Sequence, residues 1–193
     1  MFNLKNLFTR ALLALMLATG AGAALAGPTY QVTIDTEGYE GTGTIDFVLS
    51  GYESSPDATA FLSNFTGDFG SESELINASG SLAGGVLLGP RDFSSFAQSL
   101  NLGQRFGFNV RFDIGQAGDP VGFSVGLYSD TLGQYLGELG TLVAIELTPG
   151  QPDLVFTDAA LANVSEVPEP ATLASLALGL ALMGSTLRAR RKG

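Results

Sequence analysis

The segment RFGFNVRFDI, residues 105–114, alternates without a break. Phe106, Phe108, Val110, Phe112 and Ile114 fall on one side. Arg105, Gly107, Asn109, Arg111 and Asp113 fall on the other. A period of two is the repeat of a β-strand, whose successive side chains point to opposite faces. The spacing therefore predicts a strand with one face in a core and one in water.

The same pattern spreads outward from this segment. In VGFSVGLYSD, Val121, Phe123, Val125 and Leu127 share a face. TLVAIELT aligns Val143, Ile145 and Leu147, and DLVFTD adds Leu154 and Phe156. Near the start, Tyr30, Val32 and Ile34 alternate with Gln31, Thr33 and Asp35, and Ile45, Phe47 and Leu49 follow the turn EGTG. Segments 58–66, 79–88 and 93–100 are further strand candidates. Turn-forming residues separate these runs, as in GQAGDP at 115–120 and TPGQPD at 148–153. Strands recurring every ten to fifteen residues predict an all-β, antiparallel two-sheet sandwich, jelly-roll-like, of about eight to ten strands. TDAALANVSEV, residues 157–167, reads as a short linker.

Charge divides the chain into three parts: 1–26, 27–166 and 167–193. The 193 residues carry 9 Lys and Arg against 19 Asp and Glu. Only Arg91, Arg105 and Arg111 lie between residues 27 and 167. That stretch holds 18 of the 19 acids, so its own balance is −15. Such a body repels phosphate backbones, which excludes nucleic acid as a partner. There is no Cys and no His. Disulfides, thiol chemistry and the commonest general base are therefore excluded.

The two ends are apolar. Residues 1–26 carry Lys5 and Arg10, then the uncharged run Ala11–Ala18, then the small-x-small site Ala24-Leu25-Ala26, with Gly27 as the mature start. This is the layout of a secretory signal peptide, and the short run is too brief to span a bilayer. It implies the export translocon and signal peptidase as partners. At the other end Ala171–Leu187 is uncharged and predicts a transmembrane helix. Its 17 residues rise roughly 26 Å as helix, enough to cross a thin hydrocarbon core. Arg188, Arg190, Arg191 and Lys192 then form a basic stop, placing the terminus inside and residues 27–166 outside.

Between body and helix stands Val167-Pro168-Glu169-Pro170. This motif, followed by an uncharged span and an Arg-rich terminus, resembles the PEP-CTERM protein-sorting signal of Gram-negative bacteria. The resemblance implies recognition by an exosortase, a membrane Cys transpeptidase, with cleavage near Pro168-Glu169-Pro170. It also implies a transient stage in the inner membrane and a final place at the cell surface or in an exopolysaccharide matrix. The two prolines forbid regular helix and hold that site extended. Tyr30–Thr36 and Gly41–Phe47 also resemble the opening strands of a family of small PEP-CTERM proteins. That family implies no defined activity.

Candidate chemistry is sparse. Without His, and without Lys between residues 27 and 167, a serine triad cannot be assembled. Asp35, Asp46, Asp113 and Glu146 could serve as paired carboxylates for glycoside hydrolysis, provided two of them converge. Alternation instead places Asp35, Asp46 and Glu146 on solvent faces. No cofactor is expected. The one metal the chain's oxygen ligands suit is a structural Ca²⁺, at Asp113 with Asp119, or at Asp130. The glycines of GGVLLG, residues 84–89, serve turns and bulges and not phosphate binding, since no GxxxxGK follows. Asn64, Asn77 and Asn163 begin sequon-like triplets. Tyr128, opposite the core face of its strand, is the best-placed tyrosine for stacking on a sugar.

The resulting expectation is a non-enzymatic, exported surface or matrix protein. A carbohydrate-binding or adhesive module, with or without the assistance of Ca²⁺, is the alternative. A secreted glycosidase or lyase is the third reading.

Overall fold

The computed structural model describes residues 27–89 and 93–167. The predicted signal peptide (Ala24, Ala26), the PEP motif beyond Val167, the transmembrane span 171–187 and the basic stop lie outside the described residues. Pro28–Val167 is one compact unit.

Among the described residues there is no helix. Thirteen strands form: β1 Thr29–Asp35, β2 Thr42–Gly51, β3 Ala58–Thr66, β4 Phe69–Ile76, β5 Ala78–Ser81, β6 Gly85–Leu88, β7 Phe93–Asn101, β8 Arg105–Ile114, β9 Val121–Ser129, β10 Gln134–Tyr135, β11 Val143–Leu147, β12 Leu154–Thr157 and β13 Ala162–Val167. Sheet I runs β13-β1-β8-β3-β6-β5. Sheet II runs β12-β11-β9-β2-β7-β4, with β10 paired to β9. Every pairing is antiparallel.

The first eight strands nest. β1 pairs β8, β2 pairs β7, and β3 pairs β6. Asn77, at φ 48°, is the one-residue joint between β4 and β5. A single long hairpin, folded back at Asn77, thus winds across both sheets. β9, β11 and β12 then widen sheet II, and β13 returns to cover β1.

The alternation of β8 survives intact. Phe106, Phe108, Val110 and Phe112 are buried, while Arg105, Arg111 and Asp113 are exposed. The sheets meet through aromatic edges: Phe108 on Phe47 at 4.9 Å between centroids, Phe112 on Phe123 at 5.3 Å, and Phe106 on Phe69 at 5.5 Å. Edge-to-face rings place positive ring edges on negative faces, worth about 0.5–1.5 kcal/mol per pair beyond burial. β3 breaks register between Ser63 and Thr66. The bulge carries Asn64 at φ 55° and lets Phe65 pack against Phe47, Phe69 and Phe108.

Four expectations need correction. The stretch 157–167 is not a linker, because Ala162–Val167 forms β13, paired with β1 from Thr29↔Val167 to Ile34↔Ala162. Segment 79–88 is a hairpin of two strands, β5 and β6. β4 was not expected at all, and the strand count exceeds eight to ten. Leu154 and Phe156 do not join the core. β12 is the edge of sheet II, and they stand 51% and 60% exposed.

Candidate functional site

The four candidate carboxylates are scattered. Asp35, at the end of β1 in sheet I, accepts from the Glu37 amide at 2.9 Å and from Arg105 Nε at 2.8 Å. Those bonds, the backbone one first, hold its pKa below the usual carboxylate value. Asp113 lies on the outer face of β8, opposite Thr59. Asp46 and Glu146 share the outer face of sheet II but not a row. Asp46 pairs with Gly126, while Glu146 pairs with Gly122, which faces Ser50. Two strand spacings and four residues of rise separate their backbones by about 16 Å. Glycosidase carboxyl pairs sit about 5–9.5 Å apart, so this pair does not converge.

The acids considered for Ca²⁺ hold loops. Asp119 accepts from the Ser54 hydroxyl, and Asp130 accepts from Thr42 Oγ1 at 2.6 Å. Among the described residues no group of three or more acids is disposed to hold a metal ion. Asn64 and Asn77 are the two described non-glycine residues at positive φ. Asn tolerates that conformation through its short polar side chain, and Asn77 Nδ2 also donates to the Phe93 carbonyl at 2.8 Å.

The outer face of sheet II is where polar and aromatic groups gather. Tyr135 on β10 pairs with Tyr128 on β9, and their rings meet edge to face at 5.4 Å. Tyr128 is therefore held by cross-strand packing. Tyr135 crosses Gly126 to donate its hydroxyl to Asp46 Oδ2 at 3.0 Å. A Cβ on Gly126 would stand 3.1 Å from the Tyr135 ring, a tight contact that the glycine avoids. Burial raises the Asp46 pKa, the Tyr135 bond opposes the shift, and Glu74 adds to it. Glu74 sits in the same cross-strand row, on the far side of Ala97.

Beside this cluster a hollow of about 540 Å³ opens at the β12 edge. Its floor is Ala144 and Phe156, register partners on β11 and β12. Its walls are the loop carrying Glu138, Leu139 and Thr141 and the loop Asp158–Ala160. Asp158 staples the two loops together. Its Oδ2 accepts from the Glu138 amide at 3.1 Å, its Oδ1 from the Ala160 amide at 3.1 Å, and its own amide donates to the Leu142 carbonyl at 2.9 Å. Gly137, at φ 86°, leaves room for that carboxylate, since a Cβ would lie 2.7 Å from Asp158 Oδ2. Glu138 and Asp158 were not singled out in the sequence, and the alternation placed Phe156 on a core face instead of in a site. An exposed aromatic in a short polar-flanked run is the signal that could have marked Phe156.

On sheet I, β13 delivers the chain to its C-terminal segment. Val167, paired with Thr29, is the last described residue. Residues 166–192 match the PEP-CTERM protein-sorting motif. The chain carries a PEP-CTERM protein-sorting motif. The motif implies export, sorting to the cell surface and an exosortase as processing partner. No curated protein and no solved structure matches the chain. Among the described residues, no helix is long and apolar enough to cross a membrane.

Proposed function

We propose that this PEP-CTERM protein is a non-catalytic component of the cell surface or extracellular matrix. In this reading the signal peptide is removed after Ala26. The span 171–187 halts in the inner membrane with Arg188, Arg190, Arg191 and Lys192 inside. The exosortase then cuts near Pro168-Glu169-Pro170 and releases the body. The observation that carries the reading is the sorting motif at residues 166–192. Support for a non-catalytic body comes from the chain's lack of His and Cys and from the wide separation of Asp46 and Glu146. The nested pairing of β1–β8, β2–β7 and β3–β6 supports the jelly-roll form of the sandwich.

Deleting residues 168–193 tests the sorting role. The truncated chain is expected to be exported but absent from the outer surface. Normal surface delivery of the truncated chain would remove the reading.

A second reading, carbohydrate binding, is favoured by the preformed hollow with the exposed ring of Phe156 at its floor. Pockets of about 300–1,000 Å³, lined by apolar groups with a few polar ones, are the common form of a ligand site. Ca²⁺ assistance finds no support in how Asp119 and Asp130 are used.

A further inference from the structure

The hollow at the β12 edge combines three properties. It is preformed, because Asp158 ties both walls through backbone amides. It is apolar on exposed surfaces, with Leu139 92% exposed on one wall and Phe156 60% exposed at the floor. Its polar groups are unspent. The Glu138 amide is engaged by Asp158, while the Glu138 carboxylate and the hydroxyls of Thr141 and Thr157 bond no other described residue.

Charge narrows the occupant. The two described cations, Arg105 and Arg111, both lie on β8 of sheet I. On the outer face of sheet II the acids on the hollow's side are Glu146, two residues along β11 from Ala144, and Asp46, two strands away on β2, with no described Lys or Arg on that sheet. A uronic-acid, sulfated or phosphorylated polymer would meet like charge there and be repelled. An ammonium group would meet Glu138 and a field of its opposite sign.

We propose that this hollow binds a glycan whose sugars bear free amino groups. The apolar face of a sugar ring lies on Phe156 and Leu139. The ammonium pairs with Glu138, and ring hydroxyls exchange hydrogen bonds with Thr141 and Thr157. The proposal rests on the carbohydrate-binding reading above and names its site and its substrate class.

The test is calorimetric titration of Pro28–Val167, which encloses its own core, at mildly acidic pH. Three probes separate the possibilities: chitosan oligosaccharide, its fully N-acetylated counterpart and oligogalacturonate. The amine-bearing oligomer is expected to bind, and to bind less tightly as salt screens the pair. Phe156→Ala, which leaves the charge unchanged, is expected to weaken it roughly tenfold, as truncation of a buried anchor does. Glu138→Gln is expected to weaken it several-fold. Both side chains are exposed, and unchanged thermal unfolding verifies that the variants fold. Equal affinity in Phe156→Ala would overturn the proposal and leave only diffuse attraction of a polycation to an acidic body. Phe156-dependent binding of the N-acetylated oligomer at equal strength would overturn the amine preference while sparing the carbohydrate reading. Binding of none of the probes would remove both. A dimer in solution that Phe156→Ala dissociates would assign the hollow to a second copy instead.

Discussion

The Tyr30 hydroxyl donates to Asp153 Oδ2 at 2.8 Å, joining β1 of sheet I to the loop before β12 of sheet II across 123 residues of chain. Tyr30 is buried, and its ring packs on Phe112 at 6.2 Å. The bond therefore pins the late strands of sheet II to a strand laid down at the start. Burial first, then the Asp153 carboxylate, pushes the Tyr30 phenol far above its ordinary pKa of 10.0.

Tyr30→Phe keeps the ring and deletes the bond. Stability is expected to fall by about 1 kcal/mol, the net worth of a hydrogen bond, measured by denaturant unfolding. In an alkaline absorbance titration, one tyrosine of the wild type is expected to ionise last. That late component is expected to vanish in the variant. Its persistence would reassign the perturbed phenol.

Asp46 makes stability depend on pH in the unusual direction. Its folded pKa lies above the unfolded 3.8. The folded state thus holds the proton more tightly, so this group's contribution is full below pH 3.8 and is lost as pH rises through the folded value. Asp35 works in the opposite sense, because its folded pKa is lowered. Its contribution is present above the unfolded value and is lost as pH falls through the folded one. Asp46→Asn is expected to gain stability over the wild type at neutral pH and to lose that advantage in acid. Urea midpoints across the range check this, and a gap that does not vary with pH would contradict it.

Gln98 repairs a broken ladder. Between Phe69 and Ser73 the pairing of β4 with β7 slips. There Gln98 Nε2, almost wholly buried, donates to the carbonyls of Gly70 at 2.8 Å and Glu72 at 3.0 Å. Gln98→Leu removes the donor and is expected to cost about 1–2 kcal/mol. Hydrogen exchange in β4 is expected to quicken more than in β8. Uniform quickening would show that Gln98 has no local role.

The alternation of β8 and β9 was legible because both strands lie inside their sheets and bury every second side chain in the shared core. Edge strands obey no such rule. β4, with the sequence FGSESELI, exposes nearly every residue on both faces, so no period of two is selected. ANVSEV reads as linker for the same reason: it pairs with β1 on one side only and buries Ala162 alone. Phe156 fitted the alternation of a core strand, yet β12 has no sheet opposite its outer face. The hollow was beyond sequence reading altogether. It depends on Asp158 bonding amides on two loops, and nothing in the spacing of Glu138, Asp158 and Ala160 announces that they meet. The sorting motif was legible because it works as linear sequence, with its order of motif, apolar span and basic terminus intact at residues 166–192.

The central claim is that cells cut this polypeptide twice and keep its acidic sandwich outside. Intact-mass analysis of the native protein, recovered from each cell fraction, tests that most directly. The predicted result is an extracellular or surface species that begins at Gly27 and ends near Pro168-Glu169-Pro170, allowing for any group the transpeptidase adds at the new C-terminus. A species running uncut from Met1 to Gly193 in the cytosol would contradict it.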